Sequence, residues 1–240
     1  MSSHAFTTKT KFLIFTTPFL FLLFAGVTFI IAPNIYLKIF GILELGLVEW
    51  VQFGCYILAA ILGFLTFVAL RKSSLKFQSY IVLMFCLGCA FVALEEISYG
   101  QHIFMWDTPQ QIASINAQKE TNLHNLAVIM KYSIHIRAFI LVGWFGSLAW
   151  IFRQKPKTLS AKDIILPEWY LASFFLPLAV FYTQLLYVFR WGNNHQELFE
   201  TLLGFGFLGI GFVNYRKVKW YFLNQLHRSP NNTGRKSIYP

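Results

Sequence analysis

Six apolar stretches, approximately Phe12 to Ala32, Gly46 to Leu70, Gln78 to Ile97, Tyr132 to Phe152, Trp169 to Phe189 and Leu198 to Tyr215, divide this 240-residue chain at nearly regular intervals. Each approaches or exceeds the roughly 20 residues an α-helix needs to cross a hydrocarbon core of about 30 Å. Inside such a core every backbone N–H and C=O must be paired within its own segment, so long apolar runs become helices. The expectation is therefore an all-α integral membrane protein, a six-transmembrane-helix bundle. The 56% hydrophobic, 19% aromatic and 12% charged composition lies far from soluble usage. Too little chain lies between the stretches for a separate soluble domain, so residues 1–227 read as one transmembrane domain. Residues 228–240, rich in Pro, Asn, Gly and Ser, read as a disordered cytoplasmic tail.

The charges sort by side. Eight of the ten acids, Glu44, Glu49, Glu95, Glu96, Asp107, Glu120, Glu197 and Glu200, fall at one end of the expected bundle. Fifteen of the twenty Lys/Arg fall at the other, in the N-terminal segment, around residues 71–76 and 153–162, and from Arg216 onward. The positive-inside rule then places both termini in the cytoplasm and the acids outside. That topology accounts for the formal charge of +10 without a nucleic-acid partner. The bilayer is the expected surrounding, with a lipid substrate or other membrane subunits as partners. The first helix follows a short basic segment, but 21 apolar residues exceed a signal h-region, so it should remain as an anchor.

The connection after the third apolar stretch carries structure of its own. Thr108 before Pro109 suits an N-cap followed by the first helical position. A short helix there, with Ile112, Ile115, Phe104 and Trp106, fits an interfacial segment on the outer leaflet. Glu120-Thr121-Asn122 offers a second N-cap, and an apolar-periodic run extends from it to Phe152, implying one helix about 46 Å long.

Three polar groups stand at the acidic end, where ionisable residues bordering hydrocarbon are costly and mark sites. The first is Glu95-Glu96-Ile97-Ser98-Tyr99-Gly100-Gln101-His102; continuous helix would put Glu95, Tyr99 and His102 on one face. The second is a stripe of Glu120, His124, Lys131 and His135. The third is His195, Glu197 and Glu200 after the Gly192-Asn193-Asn194 turn. Glu95, Glu96 and His124 are the expected catalytic acid–base residues, and Tyr99, Gln101, Glu120, Asn122, Asn125 and His195 the expected substrate contacts. Glu96, His124, His195 and Glu200 also form a donor set suited to a divalent metal. Solvated helix ends and a rigid structural cap remain alternatives for the same residues. Glu49 with Glu95 would serve proton coupling if the chain were a carrier. Cys86-Leu87-Gly88-Cys89 and Gly204-Phe205-Gly206-Phe207-Leu208-Gly209 mimic redox and dinucleotide motifs. Both lie inside apolar helices and read as packing residues. No nucleophile elbow, zincin motif, phosphate-binding loop or paired half-helix pattern is present.

The string Glu95-Glu96-Ile97-Ser98-Tyr99-Gly100-Gln101, then Asp107-Thr108-Pro109, then Glu120-Thr121-Asn122-Leu123-His124-Asn125, resembles a family of uncharacterised bacterial multi-pass membrane proteins carrying E-E-I-S-W-G-Q, T-P and E-T-N-L-H-N. Leu45 to Gln52 is similar to another segment of that family. The resemblance spans about residues 44–125, with Tyr99 standing for Trp and His102 for Arg. It implies a bacterial plasma (inner) membrane location and a site near these motifs, and it implies no activity. The function expected is a multi-pass plasma-membrane protein with an outward-facing carboxylate and histidine site that modifies a lipid or lipid-linked substrate. The alternatives are a structural or assembly subunit and a proton-coupled transporter.

Overall fold

A computed structural model describes residues 6–40, 46–73, 75–116, 119–123, 125–148, 151, 163–164, 166–187 and 195–228. The described residues are helical, joined by turns and one isolated bridge, Asn116 with Leu126. In chain order the helices are α1 (Thr8–Ile31), α2 (Pro33–Phe40), α3 (Leu47–Arg71), α4 (Lys76–Glu96), α5 (Gln101–Phe104), α6 (Gln110–Ala113), α7 (Ala127–Lys131), α8 (Ile134–Leu148), α9 (Ala172–Tyr187) and α10 (Gln196–Arg228). Five helical spans are long and apolar enough to cross a membrane: α1, α3, α4, α9 with its preceding turn Trp169–Leu171, and α10. The helix α8 is apolar but has 15 residues.

Burial along α3 explains its central place. Gln52, Cys55, Tyr56, Ala59, Ala60, Gly63, Thr66 and Leu70 recur at three- and four-residue spacing and are buried between α4 on one side and α10 on the other. The Cys86 and Cys89 side chains pack on Ala59 and Ala60, as small apolar residues do, and all three cysteines are free. The glycines of the Gly204–Gly209 run serve helix contact: a Cβ on Gly206 would meet the Phe175 ring at 2.9 Å, and one on Gly209 would meet Leu171 at 2.7 Å. A second tight pair is α8 with α9. Around Phe175, Leu178 and Tyr182 the buried core joins α9 to Leu202 and Leu203 of α10. Many large apolar side chains face outward, among them Ile30, Ile31 and Leu141 at 80%, 76% and 72% exposure, which is the surface a hydrocarbon solvent requires.

Two ends follow from this arrangement. The starts of α3 and α10 and the end of α4 share the acidic end. Arg71, Lys76, Arg216, Lys217 and Lys219 mark the basic end, where Lys217 Nζ lies 3.0 Å from Glu168 Oε1 and donates to the Asp163 carbonyl at 2.8 Å. At 33 residues α10 is roughly 50 Å long and runs well past a 30 Å core.

Three expected elements differ. The helix α4 stops at Glu96, and Ser98 and Tyr99 take positive φ angles of 46° and 55°, so Glu95, Tyr99 and His102 share no helix face. The long helix from Glu120 is broken: residues 119–123 and 125–126 are non-helical, α7 is five residues long, and Ser133 at φ 51° separates it from α8. Glu120, Lys131 and His135 therefore do not share one continuous helix, and His124 lies outside the described residues. Pro109, rather than Thr108, occupies the N-cap of α6, and Glu120 to Asn122 cap no helix. Segments 229–240 and residue 124 lie outside the described residues.

Candidate functional site

Two separate polar systems occupy the acidic end. The first is a cap built by the loop after α4. Asn122 Nδ2 donates to Glu120 Oε2 at 2.6 Å and to Ser98 Oγ at 3.1 Å, and Ser98 Oγ donates to the same carboxylate oxygen at 2.5 Å. Asn116 ties the loop from behind, its Nδ2 donating to the Asn122 carbonyl at 2.8 Å and its Oδ1 accepting from Glu120 N at 3.2 Å. Gln101 Oε1 accepts from Thr121 N and Oγ1 at 2.9 and 2.5 Å. Glu95 closes the cap: its Oε2 accepts from Leu123 N at 2.9 Å, and the Tyr99 hydroxyl hydrogen-bonds its carboxylate. Burial, then that bond and the Glu95 charge, raise the Tyr99 hydroxyl above its ordinary pKa. Glu95, Ser98, Asn116, Glu120, Asn122 and Asn125 are all buried.

Of the expected site residues, then, Glu95, Tyr99, Gln101, Glu120 and Asn122 come together, but around backbone and one another. Their hydrogen bonds replace the regular ladder that residues 119–123 lack, so they hold a loop shape.

The second system lies among the helices. Glu96 ends α4 one residue after Glu95 and turns the other way, and the charges acting on it are carboxylates: Glu200, Glu197, Glu49 and Glu95, in that order. Glu96 is half-buried. Gln52, fully buried on α3, donates through Nε2 to the Glu197 carbonyl and Oε2, both at 3.1 Å, and to Thr201 Oγ1 at 3.2 Å. Its Oε1 is buried and has no hydrogen-bond partner among the described residues. From α9, the Tyr182 hydroxyl donates to Glu200 Oε1 at 2.6 Å. The charges of Glu96 and Glu200 reach Tyr56, one turn below Gln52. Four helices, α3, α4, α9 and α10, thus carry the four carboxylates, one amide and two phenols of this group.

His195 stands apart from that group. Its Nδ1 is 2.6 Å from the hydroxyl of buried Tyr36, and the Phe29 ring meets it edge-on at 5.3 Å. Burial lowers the His195 pKa and pushes the Tyr36 hydroxyl up to about 12. With His195 so engaged and His124 outside the described residues, no group of three or more His, Cys, Asp or Glu among the described residues could hold a metal ion.

Gln52, Tyr56, Tyr182 and Thr201 were missed as site residues because each, alone in an apolar run, looks like a tolerated polar residue. Their signal was spacing: Glu49, Gln52 and Tyr56 recur at three and four residues, as do Glu197, Glu200 and Thr201. No family model matches the chain, and no curated protein or solved structure is similar to it.

Proposed function

We propose that the chain is a bacterial plasma-membrane protein with six transmembrane helices, α8 supplying the sixth, and that its acidic end faces outward. At that end Glu96, with Glu200, Glu197 and Glu49, performs acid–base chemistry on a lipid or lipid-linked substrate of the outer leaflet. The observation that carries the proposal is that the carboxylates of Glu200, Glu197 and Glu49, from α10 and α3, act electrostatically on Glu96 of α4, with buried Gln52 tying α3 to Glu197. Like charges so placed oppose folding, and ionisable groups among membrane helices are kept for chemistry. Carboxylates and a spare amide oxygen are acceptors, so the group suits a headgroup bearing hydroxyls or an amine. Glu96 is the base that takes a proton from that headgroup, and the Tyr182–Glu200 pair is the second proton carrier.

Of the two carboxylates expected as the base, Glu95 is engaged in the cap, which leaves Glu96. Alternating basic segments support cytoplasmic termini. The exposed Ile103, Phe104, Met105 and Trp106 beside α6 support an interfacial role for this loop. The same ridge, standing on a hydrogen-bonded cap, favours a second reading as an assembly subunit. A carrier would need carboxylates continuing to mid-membrane, and these four sit in the end turns of their helices.

Mass spectrometry of lipid extracts from cells lacking the protein, complemented with wild type, Glu96→Gln or Glu200→Gln, tests the proposal. A lipid species should accumulate without the protein and with either variant, and disappear with wild type. Identical extracts from deletion and wild-type cells would sink the enzymatic reading and leave the assembly one.

A further inference from the structure

A cavity of about 520 Å³ lies between the two tight helix pairs, far from the acidic group. Its walls come from α3 and α10 at the back, Ile81, Val82 and Phe85 of α4 on one side, and Leu141, Val142 and Phe145 of α8 on the other. The gap persists because each flank is committed elsewhere. Gly143 brings α8 so close to α9 that a Cβ would meet Ala179 N at 2.8 Å, and a Cβ on Gly63 of α3 would meet the Cys86 Cβ at 3.2 Å. Among the described residues α4 packs on α3 and α8 on α9, while α4 and α8 have at most slight contact with each other. The cavity therefore opens sideways, toward the bilayer.

Its chemistry excludes a polar occupant. Thr66 Oγ1 donates to the Leu62 carbonyl at 2.7 Å and Asn214 Nδ2 to the Ile164 carbonyl at 3.0 Å, so both polar side chains of the wall are engaged with backbone. The remaining wall is aliphatic, aromatic, proline or glycine. Phe207 closes the end nearer the acids, stacked on Phe85 at 5.9 Å and touching Tyr56. Depth identifies the leaflet. Phe85 is nine residues from Lys76, roughly 13 Å along the helix, so the hollow fits the half of a 30 Å core nearest the basic end. Exposed Arg71, Lys72 and Lys76 stand at that rim. A void of this size facing hydrocarbon is filled by what surrounds it.

The geometry points to a lipid-binding site: the cavity seats one acyl chain of an anionic phospholipid from the leaflet at the basic end, its headgroup lying against Arg71, Lys72 and Lys76. This site is independent of the acidic group and holds whether or not that group is catalytic.

The test uses the full chain in vesicles of phosphatidylglycerol or of phosphatidylcholine, each carrying a diazirine at mid-chain, with crosslinked peptides mapped by mass spectrometry. Crosslinks from phosphatidylglycerol should concentrate on Phe85, Val142 and Phe145, above the level on the lipid-facing α1 residues Leu20, Phe24 and Ile31. Val142→Trp or Ile210→Trp, which fill the cavity, should bring them down to the α1 level. Wild-type crosslinks no denser in the cavity than on α1 would overturn the site, and need no variant to fold. Undiminished crosslinks in a filled variant with wild-type melting would overturn it too, and equal labelling by phosphatidylcholine would overturn the anionic headgroup.

Discussion

Asn122 holds more of the cap together than any other side chain, because one amide nitrogen reaches Ser98 Oγ and Glu120 Oε2 while Asn116 binds its carbonyl and its Oδ1. Asn122→Ala strips a donor from a buried carboxylate, at a cost of about 1–3 kcal/mol. Thermal melts in detergent should fall accordingly, and proteolysis should begin within residues 116–126. Thr121→Ser should change neither, since its hydroxyl still reaches Gln101. His195 supplies a pH dependence. Its folded pKa is lowered from the ordinary 6.5, so the unfolded chain binds the proton first. The contribution is present above 6.5 and is lost as pH falls toward the lowered folded value. Wild type should thus lose more melting temperature between pH 7.5 and 5.5 than His195→Gln does; equal losses would show that the Tyr36–His195 contact does not set it.

Among the elements, α8 and α9 depend on two glycines that cannot be enlarged. A Cβ on Gly146 would lie 2.3 Å from the Phe175 ring, and one on Gly143 would strike backbone. Gly146→Ala should destabilise by about 1–3 kcal/mol through overpacking, whereas Gly88→Ala, with nothing within 4 Å, should melt at or above wild type. The helices themselves were legible, since apolar length alone locates them to within a few residues. Their interruptions were not. Ser98, Tyr99 and Ser133 take positive φ although none is glycine; only Gly100, at φ 84°, marks the first turn, and no proline marks either. Hydrogen bonds from the distant Glu120, Thr121 and Asn122 hold Ser98, and those bonds exist only after folding. The acidic site was legible as a location, the end where acids collect. Its membership was not, because which face of α4 carries Glu96 toward α10 depends on helix register and packing. Adjacent Glu95 and Glu96 look equivalent in sequence and end in different systems.

For the whole molecule, the separation of acidic and basic ends makes a topology that can be labelled. Cys55, Cys86 and Cys89 are buried, so a new cysteine gives a clean signal. Ile115→Cys should react with a membrane-impermeant reagent in intact cells, and Lys157→Cys should react only after permeabilisation; the reverse pattern would place the acidic group in the cytoplasm. The central claim is a division of labour, in which the cap carboxylates stabilise the fold while the Glu96 group costs stability for the sake of chemistry. A structural carboxylate, once neutralised, weakens the protein, but one held among other carboxylates relieves repulsion when neutralised. The melting temperature of Glu96→Gln in detergent at neutral pH decides between them. The account predicts a value equal to or above wild type, and a fall as large as that of Asn122→Ala would contradict it.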